Sequence, residues 1–309
     1  MDELFTTATI VGILSSAVRL ATPYLYAAIG ETLAQRSGVL NLGVDGIMLM
    51  GAFSAFYVVY NTENLLTGLL AAAGVGLLMG LLMAVASVTM KAEQGISGIG
   101  LYLFGLGLSS LLFRIMLGTV ESVDGFPRLN IPLLSDIPLL GEIFFNHSIL
   151  VYGAFLLVPL TAFLLNRTTW GLNIRAVGNN PQAADALGVN VQAIRYATVC
   201  AGGMLAGIGG AALSISALNI FQENLTNGLG FIAVALVYFG GWRPVGVLLG
   251  VLLFSFVNSL QLWLQVIGID IPSDIAVMLP YILTIIVVSI PFRRGSEPAA
   301  LTRPFSRGA

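Results

Sequence analysis

Long apolar stretches separated by short polar connections run along almost the whole chain. A helix needs about 20 apolar residues to cross the hydrocarbon core of a bilayer, and most of these stretches are that long. We therefore predict an all-α polytopic membrane protein that forms one transmembrane domain over residues 1–309, with nine spans. The predicted spans are Thr9–Ala34, Val39–Tyr60, Leu65–Met90, Ile96–Leu117, Ile149–Leu165, Ile194–Ala217, Leu229–Phe239, Val245–Ile267 and Ile275–Ile290.

Two of these stretches depart from an ideal span. The first contains Arg19 and is longer than one crossing requires, so we expect Ile10–Val18 to lie at the membrane surface and the span to begin near Leu20. The seventh, Leu229–Phe239, is short at both ends. Small residues also recur at four-residue spacing, which lets helices approach each other closely in lipid. These pairs are Gly76/Gly80, Gly203/Gly207, Ala206/Gly210 and Gly246/Gly250.

Positive charge is concentrated in alternate loops. With nine spans, every loop that is rich in lysine or arginine falls on the same side of the membrane, and positive loops remain in the cytoplasm. The chain is therefore expected to have its N-terminus outside, its C-terminus inside and a flexible cytoplasmic tail over residues 293–309. The residues that define this side are Arg36, Lys91, Arg167, Arg175, Arg243, Arg293, Arg294, Arg303 and Arg307.

Composition excludes several classes of function. The chain is 57% hydrophobic and only 9% charged, whereas about 25% of the residues of a soluble domain are charged. A lipid bilayer is therefore its expected surroundings. One cysteine, Cys200, cannot form an internal disulfide, and one histidine beside it does not make an ordinary zinc site. A net charge of −2 without a basic patch argues against nucleic acid as a partner.

Catalytic motifs are missing from the sequence as well. The single lysine, Lys91, does not follow a glycine-rich loop, so the chain has no P-loop with which to hydrolyse ATP. A nucleophile–histidine–acid triad would have to use His147, and no serine lies in a G-x-S-x-G stretch. We predict neither an enzyme nor a bound cofactor. Few clear carboxylates lie within the spans, which also argues against an ion- or proton-coupled carrier.

The densest polar cluster lies between the first two spans. It contains Glu31, Arg36, Asn41 and Asp45 among several glycines. In one interpretation, Glu31 and Arg36 pair at the cytoplasmic surface and the segment is a tight turn. In the other, the second helix begins inside the protein and presents Asn41 and Asp45 to a translocation path, because irregular backbone at membrane depth is tolerated only against protein or water.

A second polar stretch, Arg167–Arg195, interrupts the apolar pattern and contains its own helix signal. Asn180 is a good N-cap, Pro181 suits the first helical position, and Gly188 suits the position just beyond the end. These features predict about two turns of helix over Pro181–Leu187, outside the membrane, carrying Ala183, Ala184 and Ala186. Such a helix is either part of a solvated loop or a small knob that fits a groove on another protein.

Three separated motifs together resemble a known family. GETLAQRSGVLNLGVDGIMLMGAF (Gly30–Phe53), GNNPQAADALGVNVQAIRY (Gly178–Tyr196) and VALVYFGGWRPVGVLLGVLLF (Val234–Phe254) are similar to segments of the membrane subunits of bacterial ABC importers. The branch that they resemble includes ribose, branched-chain amino acid and nucleoside permeases. The first motif is most similar to the nucleoside or simple-sugar permeases that work with basic-membrane-protein-type lipoproteins. Gln35 and Asp45 stand where that branch is expected to have Glu.

The resemblance implies a role for the polar stretch and several partners. The helix from Asn180 would be the coupling helix, which docks on a separate ATPase subunit and transmits its closure to the membrane helices. A lipoprotein would deliver the solute, and a second, related permease chain would complete a heterodimer in the bacterial inner membrane. The expected coupling residues are Gly178, Asn180, Pro181, Ala183, Ala184 and Gly188.

The resemblance also implies a small-molecule solute, for which a nucleoside is the preferred hypothesis. A nucleoside needs a stacking surface and hydrogen-bonding groups, which aromatic and polar residues of the spans can supply. A simple sugar, riboflavin and a branched-chain amino acid remain alternatives within the family. A stand-alone carrier is the alternative of another class. The expected pathway residues are Glu31, Asn41, Asp45, Phe53, Tyr102 and Asn258.

Overall fold

Helices make up nearly all of the regular structure. The computed structural model describes residues 6–130, 132, 134–135, 137–266, 278–282, 285–286 and 297–307. Two short strands, β1 (Arg128–Asn130) and β2 (Asn146–Ser148), pair antiparallel. The helices are α1 (Thr7–Arg36), α2 (Val44–Thr62), α3 (Leu65–Ala84), α4 (Gln94–Met116), α5 (Leu140–Phe144), α6 (Ile149–Arg167), α7 (Thr169–Asn179), α8 (Pro181–Ala186), α9 (Val191–Ala212), α10 (Leu229–Phe239) and α11 (Pro244–Val266).

The helices confirm an all-α polytopic membrane protein. In the part of the chain that the structure describes, seven helices are long and apolar enough to cross a bilayer, and α10 is a shorter apolar helix. Together these eight helices coincide with the first eight predicted spans. A π-helical turn extends α3 to Thr89, and another extends α9 to Ala217. Most of the ninth predicted span, Ile275–Ile290, lies outside the described residues.

The first two spans differ from the prediction at their starts. Helix α1 runs without a break from Thr7 to Arg36, so the chain does not change direction near Leu20. Helix α2 begins at Val44 rather than at Val39, because residues 37–43 form a loop. Gly38 has a φ of +93° in this loop, a left-handed conformation that interrupts the helix. The loop therefore separates the end of α1 from the start of α2.

Helix α9 is the centre of the domain, and it packs against α1, α2 and α3. Its contact with α3 is a backbone contact between glycines, as the small-residue pairs predicted. A Cβ atom built on Gly76 would lie 2.4 Å from the carbonyl oxygen of Gly203, and one on Gly203 would lie 2.5 Å from that of Gly76. Gly246 and Gly250 bring α11 equally close to the end of α10. Close packing, rather than apolar burial, holds such helices together in lipid.

Helices α2 and α10 both begin at about half the depth of the membrane. The backbone of Gly46, in the first turn of α2, packs against Gly105, which lies at the centre of α4. Gly230, at the start of α10, packs against Asp45. The 11 residues of α10 rise about 16 Å, half the thickness of the hydrocarbon core. Two helix N-termini therefore meet near the midplane.

The two ends of the bundle carry different structures. One end, which we call the hairpin side, bears β1, α5 and β2 between α4 and α6. The other end, which we call the coupling side, bears α7 and α8 between α6 and α9. Thr168 caps α7, since its hydroxyl accepts a hydrogen bond from the backbone N–H of Gly171 at 3.1 Å. The sequence signal had identified only α8 in this stretch.

Candidate functional site

Glu31 is the centre of a buried polar cluster at the end of α1. Its Oε1 accepts hydrogen bonds from the Gln35 side-chain amide and from the backbone N–H of Asn41, both at 2.9 Å. The Oε1 of Gln35 in turn accepts a bond from the indole N–H of Trp242 at 2.7 Å. This chain of bonds joins α1, the loop 37–43 and the connection between α10 and α11. Glu31 therefore bonds inside the protein and does not form the surface pair with Arg36 that one interpretation predicted.

Asn41 and its neighbour Leu40 close the loop from within. The Asn41 side-chain oxygen accepts a bond from the backbone N–H of Gly43 at 2.9 Å, which turns the chain into α2. The backbone N–H of Leu40 donates to the Oε1 of Gln94, at the start of α4, at 2.8 Å. Asn41 is buried. The second helix thus begins inside the protein, as the other interpretation predicted, but the polar atoms of Asn41 and Glu31 contact protein.

Asp45 joins the N-termini of α2 and α10. Its carboxylate accepts one bond from the backbone N–H of Gly230 at 2.8 Å and one from the hydroxyl of Thr226 at 3.1 Å. It lies in the first turn of α2 and also caps α10, so a single negative charge faces two helix N-termini. Asp45 has no exposed surface. We call Asp45, Thr226 and Gly230 the midplane junction.

The other predicted pathway residues lie in three different places. Tyr102 of α4 packs beside Gly46, next to the midplane junction. Phe53 is buried in an aromatic group, with ring centroids 5.8 Å from Tyr57 and 5.3 Å from Phe221. Asn258 lies on α11 beside Ser259, whose hydroxyl donates to the carbonyl of Ile13. Since α1 rises about 1.5 Å per residue, Ile13 is about 27 Å from Glu31, and Asn258 is not part of the polar cluster.

The coupling side shows the predicted cap structure around α8. The Asn180 side chain accepts a bond from the backbone N–H of Ala183 at 3.0 Å, and Pro181 occupies the first helical position. Gly188 follows the helix with a φ of +87°, a conformation that favours glycine. Gly178 precedes it in close contact, since a Cβ atom there would lie 2.1 Å from the carbonyl oxygen of Arg36. The helix ends one residue earlier than predicted, at Ala186.

The exposed face of α8 differs from the predicted alanine face. Ala184 is only 3% exposed and packs with Ile174, Val191 and Phe305. Its burial corrects the expectation that Ala184 projects with Ala183 and Ala186. A two-turn helix that lies flat on the protein must bury one side, and this pattern could not be derived without its neighbours. The exposed residues are Gln182, Ala183, Ala186 and Leu187, the last with 86% of its surface exposed.

The described part of the C-terminal tail, residues 297–307, packs on the coupling side and is not a free tail there. The backbone N–H of Ala300 donates to the carbonyl of Gly178 at 2.9 Å, and that of Thr302 donates to the carbonyl of Gly38 at 3.2 Å. Phe305 is buried in the cluster around Ala184. An exposed ion pair joins Arg307 to Asp185 of α8 at 3.0 Å. We call residues 297–307 the C-terminal strap.

A buried arginine fastens this strap to the loop 37–43. Arg195, at the start of α9, is 1% exposed. Its Nε donates to the carbonyl of Ser37 at 3.2 Å, and its Nη1 donates to the carbonyl of Arg303 at 3.0 Å. The sequence analysis had named neither Arg195 nor the strap. A positive residue inside a coupling stretch looks like a loop residue until its neighbours are known.

The chain offers little for catalysis or for a metal. The imidazole of His147 is bonded to the carbonyl oxygen of Ile143 at 2.8 Å, and burial lowers its pKa below the ordinary value. Among the described residues, no three His, Cys, Asp or Glu side chains converge in a way that could hold a metal ion. The polar groups at the end of α1 and at the midplane junction bind one another. Their arrangement suits a moving assembly of helices.

Comparison with known proteins assigns the chain to a family. Residues 13–288 match the family described as branched-chain amino acid transport system / permease component. The putative glucose ABC transporter permease protein TsgC13 of Haloferax volcanii is 38% identical, over 96% of this chain and 98% of its own length. The guanosine permease protein NupQ of Bacillus subtilis is 34% identical over 93% and 94%, and the nucleoside permease protein NupC of Lactococcus lactis is 36% identical over 91% and 92%.

More distant relatives include a second permease from each of these last two organisms. NupP of Bacillus subtilis, a guanosine permease protein, is 26% identical over 88% of this chain, and NupB of Lactococcus lactis, a nucleoside permease protein, is 24% identical over 77%. No solved structure matches the chain. The family match and the apolar helices lead to one conclusion: the chain belongs to the family of permease components of branched-chain amino acid transport systems, and it is a multi-pass membrane permease subunit of an ABC importer, not an enzyme.

Proposed function

We propose that this permease carries nucleosides. The observation that supports the proposal is the similarity to NupQ and NupC, which extends over more than nine tenths of the chain at 34% and 36% identity. A sugar is the second candidate, because the glucose permease protein TsgC13 is 38% identical over a similar length. Riboflavin and branched-chain amino acids were alternatives from the sequence, and only the family description favours the latter.

The proposed importer contains four kinds of subunit. ATP hydrolysis takes place in a separate ATPase, and a binding lipoprotein delivers the solute. A second, related permease completes a heterodimer, a proposal supported by the two permease proteins of the same solute in Bacillus subtilis and in Lactococcus lactis. The chain lies in the cell membrane with its N-terminus and the hairpin side outside. The coupling side then faces the cytoplasm.

The exposed side of α8 is the proposed docking surface for the ATPase. Gly178, Asn180, Pro181 and Gly188 hold the helix in place, and Ala184 anchors it to the cluster beneath. Ala183 and Leu187 project outwards, where Leu187 offers a large apolar side chain. Two short helical turns with one apolar tip fit a groove on a partner protein.

Replacing this apolar tip tests the docking surface. We expect Leu187→Asp to abolish co-purification of the ATPase and to leave membrane insertion unchanged, because the side chain makes few contacts within the chain. Leu140→Asp, a change of an exposed leucine on the hairpin side, serves as the matched control and should retain the ATPase. If the Leu187 variant assembles normally, α8 does not dock on the ATPase through this residue.

The proposed pathway passes the midplane junction. Asn41 and Glu31 hold the start of α2 in position, and Asp45 holds the start of α10, so these residues support the path in the present conformation. Phe53 and Tyr102 supply aromatic surface on either side of the same helix start. We propose a wall contact for Asn258 further along α11. Asp45→Ala should impair uptake while the four kinds of subunit still assemble.

Purification and reconstitution decide between the candidate functions. Tagged chain is extracted from its native membrane in mild detergent, and every co-purifying protein is identified. The complex is then reconstituted in liposomes with ATP inside, and uptake of labelled guanosine, glucose and leucine is compared. ATP-dependent uptake of guanosine alone supports the proposal, and uptake of glucose alone supports the sugar candidate. If the chain purifies alone and still transports solute, it is a stand-alone carrier.

A further inference from the structure

Residues 218–228 descend from the hairpin side to the middle of the membrane without forming a helix. At the upper end, Ile220 forms an isolated antiparallel bridge with Ser122 of the hairpin-side loop. Glu223 then pairs with Arg114 at 2.7 Å, about nine residues and 13 Å above Gly105 on α4. At the lower end, Thr226 bonds to Asp45 in the midplane junction. We call residues 218–228 the re-entrant segment.

The lower part of the re-entrant segment exposes polar groups at membrane depth. Asn227 follows Thr226 directly, is exposed and has a left-handed backbone with a φ of +41°. Gly228 has a φ of +88°, and a Cβ atom built there would meet no atom within 4 Å. Irregular backbone and an amide side chain do not occur against lipid, because neither can find hydrogen-bond partners there. This surface therefore faces water or another protein.

An aromatic pair lies beside this polar surface. The rings of Tyr102 on α4 and Phe231 on α10 have centroids 5.0 Å apart and are inclined by 73°. Phe231 remains 36% exposed and Tyr102 is half-buried, although both lie beside the midplane junction. Aromatic surface next to an exposed amide is the combination that binds a planar, polar ring, since one supplies stacking and the other supplies a donor and an acceptor.

We propose that Tyr102, Phe231 and Asn227 line the aqueous translocation path at the membrane midplane and form a transient binding site for the base of a nucleoside. The path runs between this face and the second permease, because the exposed edge of Phe231 and the amide of Asn227 point away from the rest of the chain. This inference rests on the proposed function for the nature of the solute. Its location depends only on the depth and exposure of these three residues.

Cysteine labelling tests whether the surface is wet. In the complete importer, with Cys200→Ser as background, Asn227→Cys is treated with a charged, membrane-impermeant thiol reagent in liposomes. We expect Asn227→Cys to react in at least one of the nucleotide-free, ATP-bound and ADP-bound states. Phe163→Cys, on the exposed face of α6, is the control for a lipid-facing site and should not react. If Asn227→Cys is unreactive in every state, the surface faces a dry protein contact and the proposal is overturned.

Transport measurements test whether the surface binds the base. We expect Phe231→Leu to lower the initial rate of guanosine uptake about fivefold, because stacking stabilises aromatic contacts on that scale. Asn227→Gly removes the amide, keeps the left-handed backbone and should have a similar effect. Tyr102→Phe retains the ring and should retain more activity than Tyr102→Leu. Phe163→Leu is the matched control and should transport at the normal rate.

The outcomes separate this inference from the proposed function. If the unmodified importer does not take up guanosine, the proposed solute is wrong, whatever the labelling shows. If guanosine is transported and Asn227→Cys is labelled, but Phe231→Leu assembles and transports at the normal rate, the binding site is refuted. Slower labelling of Asn227→Cys in the presence of guanosine, with unchanged labelling in the presence of glucose, is the result that the proposal requires.

Discussion

At the scale of single residues, Gln35 shows why the first motif departs from its relatives' expected pattern. Its amide group donates to Glu31 and its carbonyl oxygen accepts from Trp242. A glutamate at this position would lose the donor and place a second carboxylate against Glu31. The neutral side chain therefore satisfies a carboxylate and an indole at once, in a place where both are buried.

This double role makes Gln35 sensitive to replacement. We expect Gln35→Ala to lower the free energy of unfolding by about 1–3 kcal/mol, because it leaves the indole N–H of Trp242 buried without an acceptor. Thermal unfolding of the detergent-solubilised complex measures the loss. Gln192→Ala, a change of an exposed glutamine at the start of α9, should leave the midpoint unchanged. Equal stability of the two variants would show that the indole finds another partner.

Asp45 illustrates a limit of sequence analysis at the same scale. A carboxylate in an apolar segment signals function, and the sequence could place Asp45 near a path on that basis. Its partners Thr226 and Gly230 are about 180 residues away along the chain, and no local pattern connects them to it. The structure shows that its charge is used to cap α10. Whether a buried carboxylate touches solute or another helix depends on such distant contacts.

At the scale of helices, apolar length and small-residue spacing predicted the elements well. Spans three to eight agree with the observed helices within a few residues, because the hydrophobic boundary of a span is local. The face that each helix buries was harder to predict. Ala184 was expected to be exposed, and α7 was not foreseen, because their burial comes from Phe305 of the strap and Ile174.

The glycine contact between α3 and α9 provides a matched pair of substitutions. Gly76→Ala would place a methyl group 2.4 Å from the carbonyl oxygen of Gly203, whereas Gly74→Ala on the same helix meets no atom within 4 Å. Since the obstacle is backbone, α3 and α9 must separate, and we expect Gly76→Ala to lower the thermal midpoint and the yield of assembled importer. Gly74→Ala should match the unmodified chain or exceed it slightly. Equal behaviour of both variants would show that the helices do not pack this closely.

At the scale of the whole molecule, the C-terminal strap connects the coupling side to the polar cluster. It bonds to Gly178 at the end of α7 and to Gly38 in the loop that leads into α2. Arg195 holds both the strap and that loop. A displacement of α8 by the ATPase can therefore reach Asn41 through the strap as well as through α9. Packed elements of this kind move as units.

Shortening the chain to end at Glu297 tests this connection. We expect the shortened chain to assemble with the ATPase but to show faster amide hydrogen exchange in residues 178–190 and less uptake per ATP hydrolysed, because α8 loses Phe305 and two backbone bonds to the strap. Arg307→Ala removes only an ion pair whose arginine side chain is 80% exposed, so it should change neither quantity much. If the shortened chain exchanges and transports like the full chain, the coupling motion passes through α9 alone. If Arg307→Ala has the full effect, the ion pair holds the strap and the buried contacts do not.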